Sequence, residues 1–213
     1  MLQFQTIPVT SFAQNATLLW DDQTQDAVLT DVGGEAEILL QEVASRHLNL
    51  QAIWLTHGHL DHVSGVPALL RHQSGVTVLG PHQEDDFLLQ KLPEITRQYR
   101  FPECPVFTPT RWLADGDTVS VGNHDFQVLH IPGHTPGSVV YYCAEAKLLI
   151  AGDVLFLESV GRSDFPRGDG PTLLRGIREK LYTLPDDVQV ITGHGAYTSI
   201  GHEKTHNPYV RAA

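Results

Sequence analysis

The 213-residue sequence predicts a single α/β (α+β) domain in which mixed sheets carry helices on their outer faces. Three observations lead there. Short apolar, β-branched runs recur along the chain, two amphipathic stripes of helical spacing lie between them, and the 18 Gly and 13 Pro are scattered rather than clustered. The length is close to that of one well-buried core, and neither an internal repeat nor a Ser/Gly linker divides it, so residues 1–213 read as one domain.

Taken in order, strands are predicted at 4–9, 15–20 and 27–32, a hairpin-like opening group. Ala36, Leu39, Leu40 and Val43 follow at i, i+3, i+4 and i+7, the apolar stripe of a surface helix. A strand at 50–56, a helix at 65–72, a strand at 76–79 and a helix at 83–91 come next. Residues 93–111, with four prolines and few periodic positions, predict a long connection. Strands at 124–131, 138–142, 147–151 and 188–192 complete the set. One further helix carries Leu174, Ile177 and Leu181 and begins at Pro171, where a missing N–H breaks no helical bond.

With 41% apolar and 18% charged residues the composition is that of an ordinary globular protein and excludes disorder. No run approaches the roughly 20 apolar residues that span a bilayer, and the start at Met1-Leu2-Gln3 lacks the basic and apolar regions of a secretory leader; the expected location is the cytoplasm. Fourteen Lys and Arg against 25 Asp and Glu give a net charge of −11, which argues against a nucleic-acid or anionic-membrane surface. No protein partner is predicted. Cys104 and Cys143 have no CxxC spacing and make no disulfide framework. The 12 histidines are the compositional anomaly, and they direct attention to metal chemistry.

Directly after the apolar strand 50–56 stand His57-Gly58-His59-Leu60-Asp61-His62, four metal-type side chains within six positions. His57 and His59, two apart, point to one side of an extended segment, whereas Asp61 and His62 diverge, so one turn can serve two centres. Three more such residues each follow an apolar strand beside a glycine: His134 after Ile131-Pro132-Gly133, Asp153 after Ala151-Gly152, and His194 after Thr192-Gly193. Ligands in open sheets gather outside strand ends, which is where all four strands deliver these groups. The expected assignment is His57, His59 and His134 to one cation, Asp61, His62 and His194 to a second, and Asp153 between them. Imidazole and carboxylate without thiolate suit zinc, iron or manganese.

His47, His72, His82, His124, His202 and His206 read as surface or capping residues, and His130 as a hydrogen-bonded strand residue. No Gly-x-Ser-x-Gly and no phosphate-binding glycine pattern after a strand occur, which leaves serine-nucleophile and nucleotide chemistry without support.

The run Thr56 to His62, with Pro132-Gly133-His134-Thr135-Pro136-Gly137, Ala151-Gly152-Asp153 and Thr192-Gly193-His194-Gly195, resembles the metallo-β-lactamase superfamily over about residues 4–207. Gly161-Arg162-Ser163-Asp164-Phe165 after Asp153, and Glu203 with Asn207-Pro208 after His194, make it most similar to the hydroxyacylglutathione hydrolase (glyoxalase II) group. The resemblance implies a four-layer αββα sandwich with a dinuclear site at one edge of the paired sheets. It implies the same seven ligands, two divalent cations with zinc foremost, and hydrolysis of a glutathione thioester such as S-lactoylglutathione to D-lactate and glutathione, a step of methylglyoxal detoxification. In that chemistry a hydroxide held between the cations attacks the thioester carbonyl; Asp153 bridges, and Asp61 orients the hydroxide besides binding metal.

Arg162 is the candidate anchor for a glutathione carboxylate, with an ion pair to Asp164 as the structural alternative. Phe165, with Arg167 on the same loop, is expected to shape the pocket, so Arg162, Asp164 and Phe165 form the candidate substrate set. Only 19 residues follow His194, so the helical domain that supplies glutathione contacts in many relatives is not expected here, and recognition is expected to come from the core loops. Alternatives are an iron-dependent persulfide dioxygenase, against which Gly195 follows the last histidine, a lactonase, and a metal-binding module without turnover. A β-lactam role is disfavoured by Asp153 where many such enzymes carry cysteine.

Overall fold

The computed structural model describes residues 1–211. Strands β1 (Leu2–Val9), β2 (Gln14–Asp21) and β3 (Asp26–Thr30) form an antiparallel meander. Helix α1 (Ala36–Ser45) returns the chain to β4 (Asn49–Trp54), parallel to β3; after α2 (Leu60–Val63) and α3 (Val66–His72), β5 (Thr77–Leu79) joins parallel to β4. A 3₁₀ turn at Gln83–Asp85, α4 (Asp86–Leu89) and α5 (Leu92–Gln98) lead to a second sheet. There β6 (Thr118–Val121), β7 (His124–His130), β8 (Val139–Cys143) and β9 (Leu148–Gly152) pair antiparallel. The hairpin β10 (Leu155–Phe156) and β11 (Ser159–Val160) and helix α6 (Gly170–Gly176), prolonged by a π-helical turn at Ile177–Leu181, precede β12 (Gln189–Thr192). β12 lies parallel to β9 and carries β13 (Thr198–Ser199) on its outer edge, before α7 (Ile200–His206).

Successive residues of a strand face opposite sides, and here both sides are apolar. Leu19, Val28 and Trp54 of the first sheet meet Phe126, Tyr141 and Ile150 of the second in the central core, where Trp54 packs on Phe126 and Tyr141 with ring centroids 5.1 and 5.2 Å away. Their neighbours Leu18, Leu29 and Ile53 turn outward onto Leu39 and Val43 of α1 and Leu69 of α3. On the far side Val140, Leu149 and Val190 receive Leu173, Ile177, Leu181 and Ile200. The result is the four-layer αββα sandwich that the resemblance implies. The sheets are also bonded to each other at one end: the Val139 N–H donates to Thr56 O at 2.8 Å, the Tyr141 hydroxyl to Leu55 O at 2.7 Å, and the Asn15 N–H to Gly193 O at 2.8 Å.

Every predicted strand occurs, within two residues at most boundaries. The exception among the connections is 93–111: α5 occupies its first part, because Pro93 stands in the helix's first turn, where it is tolerated. The predicted helix at 83–91 is a 3₁₀ turn followed by α4. On α6 and its π-turn the fully packed residues are Leu173, Ile177 and Leu181, with Leu174 only partly covered, since the wider final turn rotates the apolar face. β6, β10, β11, β13, α2 and α7 have too few apolar positions to show a period.

Candidate metal centre

In the second sheet β7, β9 and β12 run the same way, and they and β4 each release a polar group at the bonded end of the sheets. His57 and His59 follow β4, Asp61 and His62 sit on α2, His134 follows β7, Asp153 follows β9 and His194 follows β12. β9 and β12 pair with Thr192 beside Gly152, which sets Asp153 next to His194. A side chain on Gly193 would enter the Asp153 carboxylate, its Cβ lying 2.0 Å from Oδ1.

All seven predicted residues are brought together. His57 Nε2, His59 Nδ1 and His134 Nε2 form a triangle with edges of 3.1, 3.3 and 2.9 Å. His62 Nε2 lies 3.3 Å from His194 Nε2, and Asp61 Oδ2 is 3.2 Å from His194 and 3.7 Å from His62. Asp153 stands between the groups, Oδ2 3.5 Å from His134 Nε2 and Oδ1 3.4 Å from His62 Nε2. Nitrogens bound tetrahedrally to one zinc are separated by about 3.3 Å, the scale of these edges.

The far nitrogens explain the inward ones. His57 Nδ1 faces Thr56 Oγ1 at 3.0 Å; that hydroxyl donates to Asp31, so the ring nitrogen is the donor and Nε2 presents a lone pair. His134 Nδ1 donates to Arg162 O at 2.7 Å, His62 Nδ1 to Asp31 Oδ2 at 3.0 Å and His194 Nδ1 to Phe12 O at 3.0 Å. Such outer partners fix ring orientation and raise ligand basicity in metal sites. Asp31 also accepts the Thr56 N–H and Oγ1–H, both at 2.7 Å. It is a functional residue absent from the sequence reading, although like Asp153 it is an acid that closes an apolar strand.

Burial, then the neighbouring imidazoles, push His57 well below the usual histidine range, and burial holds His59 down at about 3 and lowers His134. These three are neutral at pH 7. Burial also opposes charge on His62 and His194, but the carboxylates of Asp153 and Asp61, joined by Asp31 at His62, outweigh it and raise both. Burial opposes ionisation of Asp61 and Asp153 as well, yet the histidines hold both carboxyls below their ordinary value. The set therefore gathers three neutral imidazole lone pairs in one group and two ionised carboxylates beside the other, a donor set suited to cations. Asp153 Oδ1 is buried with no hydrogen-bond partner, and the donors are the imidazole and carboxylate that divalent cations of the zinc and iron type accept.

Residues 9–194 match the metallo-β-lactamase superfamily. This chain belongs to that superfamily. Its members bind divalent metals, and the His/Asp groups above are of the ligand types that such ions take. The chain is 44% identical over 212 residues to a Haemophilus influenzae protein named hydroxyacylglutathione hydrolase GloC, covering 99% of each. Among solved structures it is similar to BLEG-1 B3 metallo-β-lactamase (36% identity, TM-score 0.89, covering 98% of this chain and 99% of that one). It is also similar to TTHA1623 in a di-iron-bound form (34% identity, TM-score 0.87, covering 97% and 100%).

The loop after β11 forms one side of the mouth. Phe165 packs edge-on against His59 and His134, with centroids 4.7 and 5.5 Å away, and the Arg162 guanidinium lies over the Phe165 ring at 4.6 Å. Arg162 also makes the bidentate pair with Asp164, both bonds 3.0 Å; these side chains are 70% and 69% exposed. Arg167 is turned away, paired with Glu84 and stacked on Phe87. Of the other histidines, His47 and His72 are exposed, His82 caps the 3₁₀ turn, His202 stacks on His206 and His130 donates to Pro136 O. His124 departs from the surface expectation: it is buried at the start of β7, where Asp21 at the end of β2 and Glu145 in the turn after β8 lie against it.

Proposed function

We propose that the chain, acting as one domain over 1–213, hydrolyses a glutathione thioester of the S-lactoylglutathione type at a pair of divalent cations, zinc foremost. The observation that carries this reading is the sharing of one carboxylate, Asp153, between two histidine groups at ligand spacing. The 44% identity to a protein named hydroxyacylglutathione hydrolase supports the substrate class. In this reading His57, His59 and His134 hold one cation, Asp61, His62 and His194 the other, and Asp153 both. Bound divalent cations lower the pKa of water to about 7 and polarise a carbonyl oxygen.

The chain's own residues do the rest. Asp61, held ionised, accepts a hydrogen bond from the attacking water and orients it. Phe165 covers the His59 and His134 rings and keeps bulk water from that side. Arg162 anchors a glutathione carboxylate: an exposed Arg–Asp pair contributes at most about 1 kcal/mol, so Asp164 orients the guanidinium without withholding it. A cytoplasmic site of action follows from a glutathione substrate; among the described residues no helix is long and apolar enough to cross a membrane.

The test is anaerobic loss of thioester absorbance from S-lactoylglutathione with zinc-loaded protein. Hydrolysis with two metals per chain is expected; metal-loaded protein inert toward the thioester refutes the reading. The B3 neighbour favours a second reading, β-lactam hydrolysis, and a chromogenic cephalosporin turned over with the higher kcat/KM would select it.

A further inference from the structure

Asp85, at the end of the 3₁₀ turn, is fully buried and takes no part in the chemistry above. Its carboxylate accepts the Gly58 N–H at 2.8 Å and the Thr135 hydroxyl at 2.8 Å on Oδ2, and the Gly137 N–H at 2.6 Å on Oδ1. Gly58 lies between His57 and His59, and Thr135 follows His134. One side chain thus spans the two loops that deliver all three nitrogens of the first group. We infer that Asp85 is a positioning residue for that cation site, setting the distance between loops 57–59 and 134–137. This rests on the proposed assignment of His57, His59 and His134 to one cation.

The glycines support it. Neither Gly58 nor Gly137 has a positive φ, so backbone strain does not require them. Close approach does: a Cβ on Gly137 would lie 2.5 Å from Asp85 Cγ, and one on Gly58 would lie 3.3 Å from Asp85 Cβ and 3.0 Å from Leu88 Cβ. Both loops are bare where they meet this carboxylate. Asp85 has no ion-pair partner among the described residues, and a buried acid without one destabilises a fold unless something else is gained. Asp31 serves the second group by touching His62 directly, whereas Asp85 acts only through backbone and Thr135.

The experiment is zinc titration of chelator-stripped full-length protein against a chromogenic competitor. Wild type is expected to take two ions per chain. Asp85→Asn presents an amide N–H₂ to groups that are themselves donors; it is expected to hold one ion about 10–100-fold more weakly and the other at wild-type affinity. In a His134→Ala background, which already lacks the first site, adding Asp85→Asn is expected to leave the remaining affinity unchanged. Gly137→Ala keeps the carboxylate but displaces it, and is expected to reproduce the selective loss even if Asp85→Asn does not fold. Unchanged affinities in both variants overturn the inference, and so does equal weakening of both sites, the mark of general loosening. Wild-type protein that binds no zinc removes the metal assignment itself, an outcome visible before any variant is made.

Discussion

Removing the charge of Asp85 has a pH signature that the structure fixes in sign. Burial pushes this carboxyl up to about 6 from 3.8, against the hydrogen bonds from Thr135, Gly58 and Gly137. Between those values the folded chain keeps a proton that the unfolded chain has released. The contribution to stability is therefore present below pH ~3.8, is lost progressively as pH rises, and is gone above pH ~6. A shift of ~2.2 units corresponds to ~3 kcal/mol in all, of which ~1.4 kcal/mol falls between pH 5 and pH 8. Asp85→Asn does not titrate, and both chains share the same histidines, so the difference between them isolates this group. Urea unfolding with metal chelated, at pH 5, 6, 7 and 8, is expected to show the variant gaining ~1.4 kcal/mol on wild type across that range. A flat difference, or one moving the other way, refutes the argument. The variant would then be relatively sturdier at pH 8 while its first site is weaker, the trade-off expected where a strained group serves function.

Asp153→Asn should lose metal and thioester hydrolysis together, because a neutral amide leaves two cations poorly screened; elemental analysis beside turnover checks it, and retained activity removes the bridging role. Asp31→Ala leaves His62 Nδ1 and the Thr56 donors unpaired and should weaken the other ion, by about 10–100-fold in the same zinc titration. Arg162→Ala should raise KM for glutathione thioesters more than for simple acyl thioesters at similar kcat, and equal effects would take it out of the pocket. Trp54→Ala, in the central core against Phe126 and Tyr141, should cost about 3–5 kcal/mol in chemical denaturation.

The sequence was most legible where local pattern and burial agree. β2, β3, β4, β8 and β9 read as strands because apolar residues cover both faces, and the seven polar groups stood out because His57, His134, Asp153 and His194 each follow such a run and His59, Asp61 and His62 crowd behind the first. Asp31 was legible in principle and overlooked, since its histidine partner lies 31 residues away. Asp85 was not legible: nothing in Gln83-Glu84-Asp85-Asp86 tells the buried acid from its less buried neighbours, and its role depends on two loops 79 residues apart, read at Gly58 and Gly137. α5 was hidden by its own proline, and the short strands β10, β11 and β13 by having two residues each. The layer order itself came from family likeness, because periodicity shows which faces are apolar but not which sheet covers which.

His57, His59 and His62 descend from one sheet and His134, Asp153 and His194 from the other, so the slab of aromatic and branched side chains between the sheets acts as a spacer for the donor atoms. Swapping Phe126 or Ile150 for a residue of different bulk alters the gauge of that spacer, and coordination chemistry, which tolerates only tenths of an ångström, registers the change some distance away. Metal occupancy is for this reason a readout of interior packing in this molecule, and substitutions that never approach the mouth deserve assay by ion content before they are judged neutral.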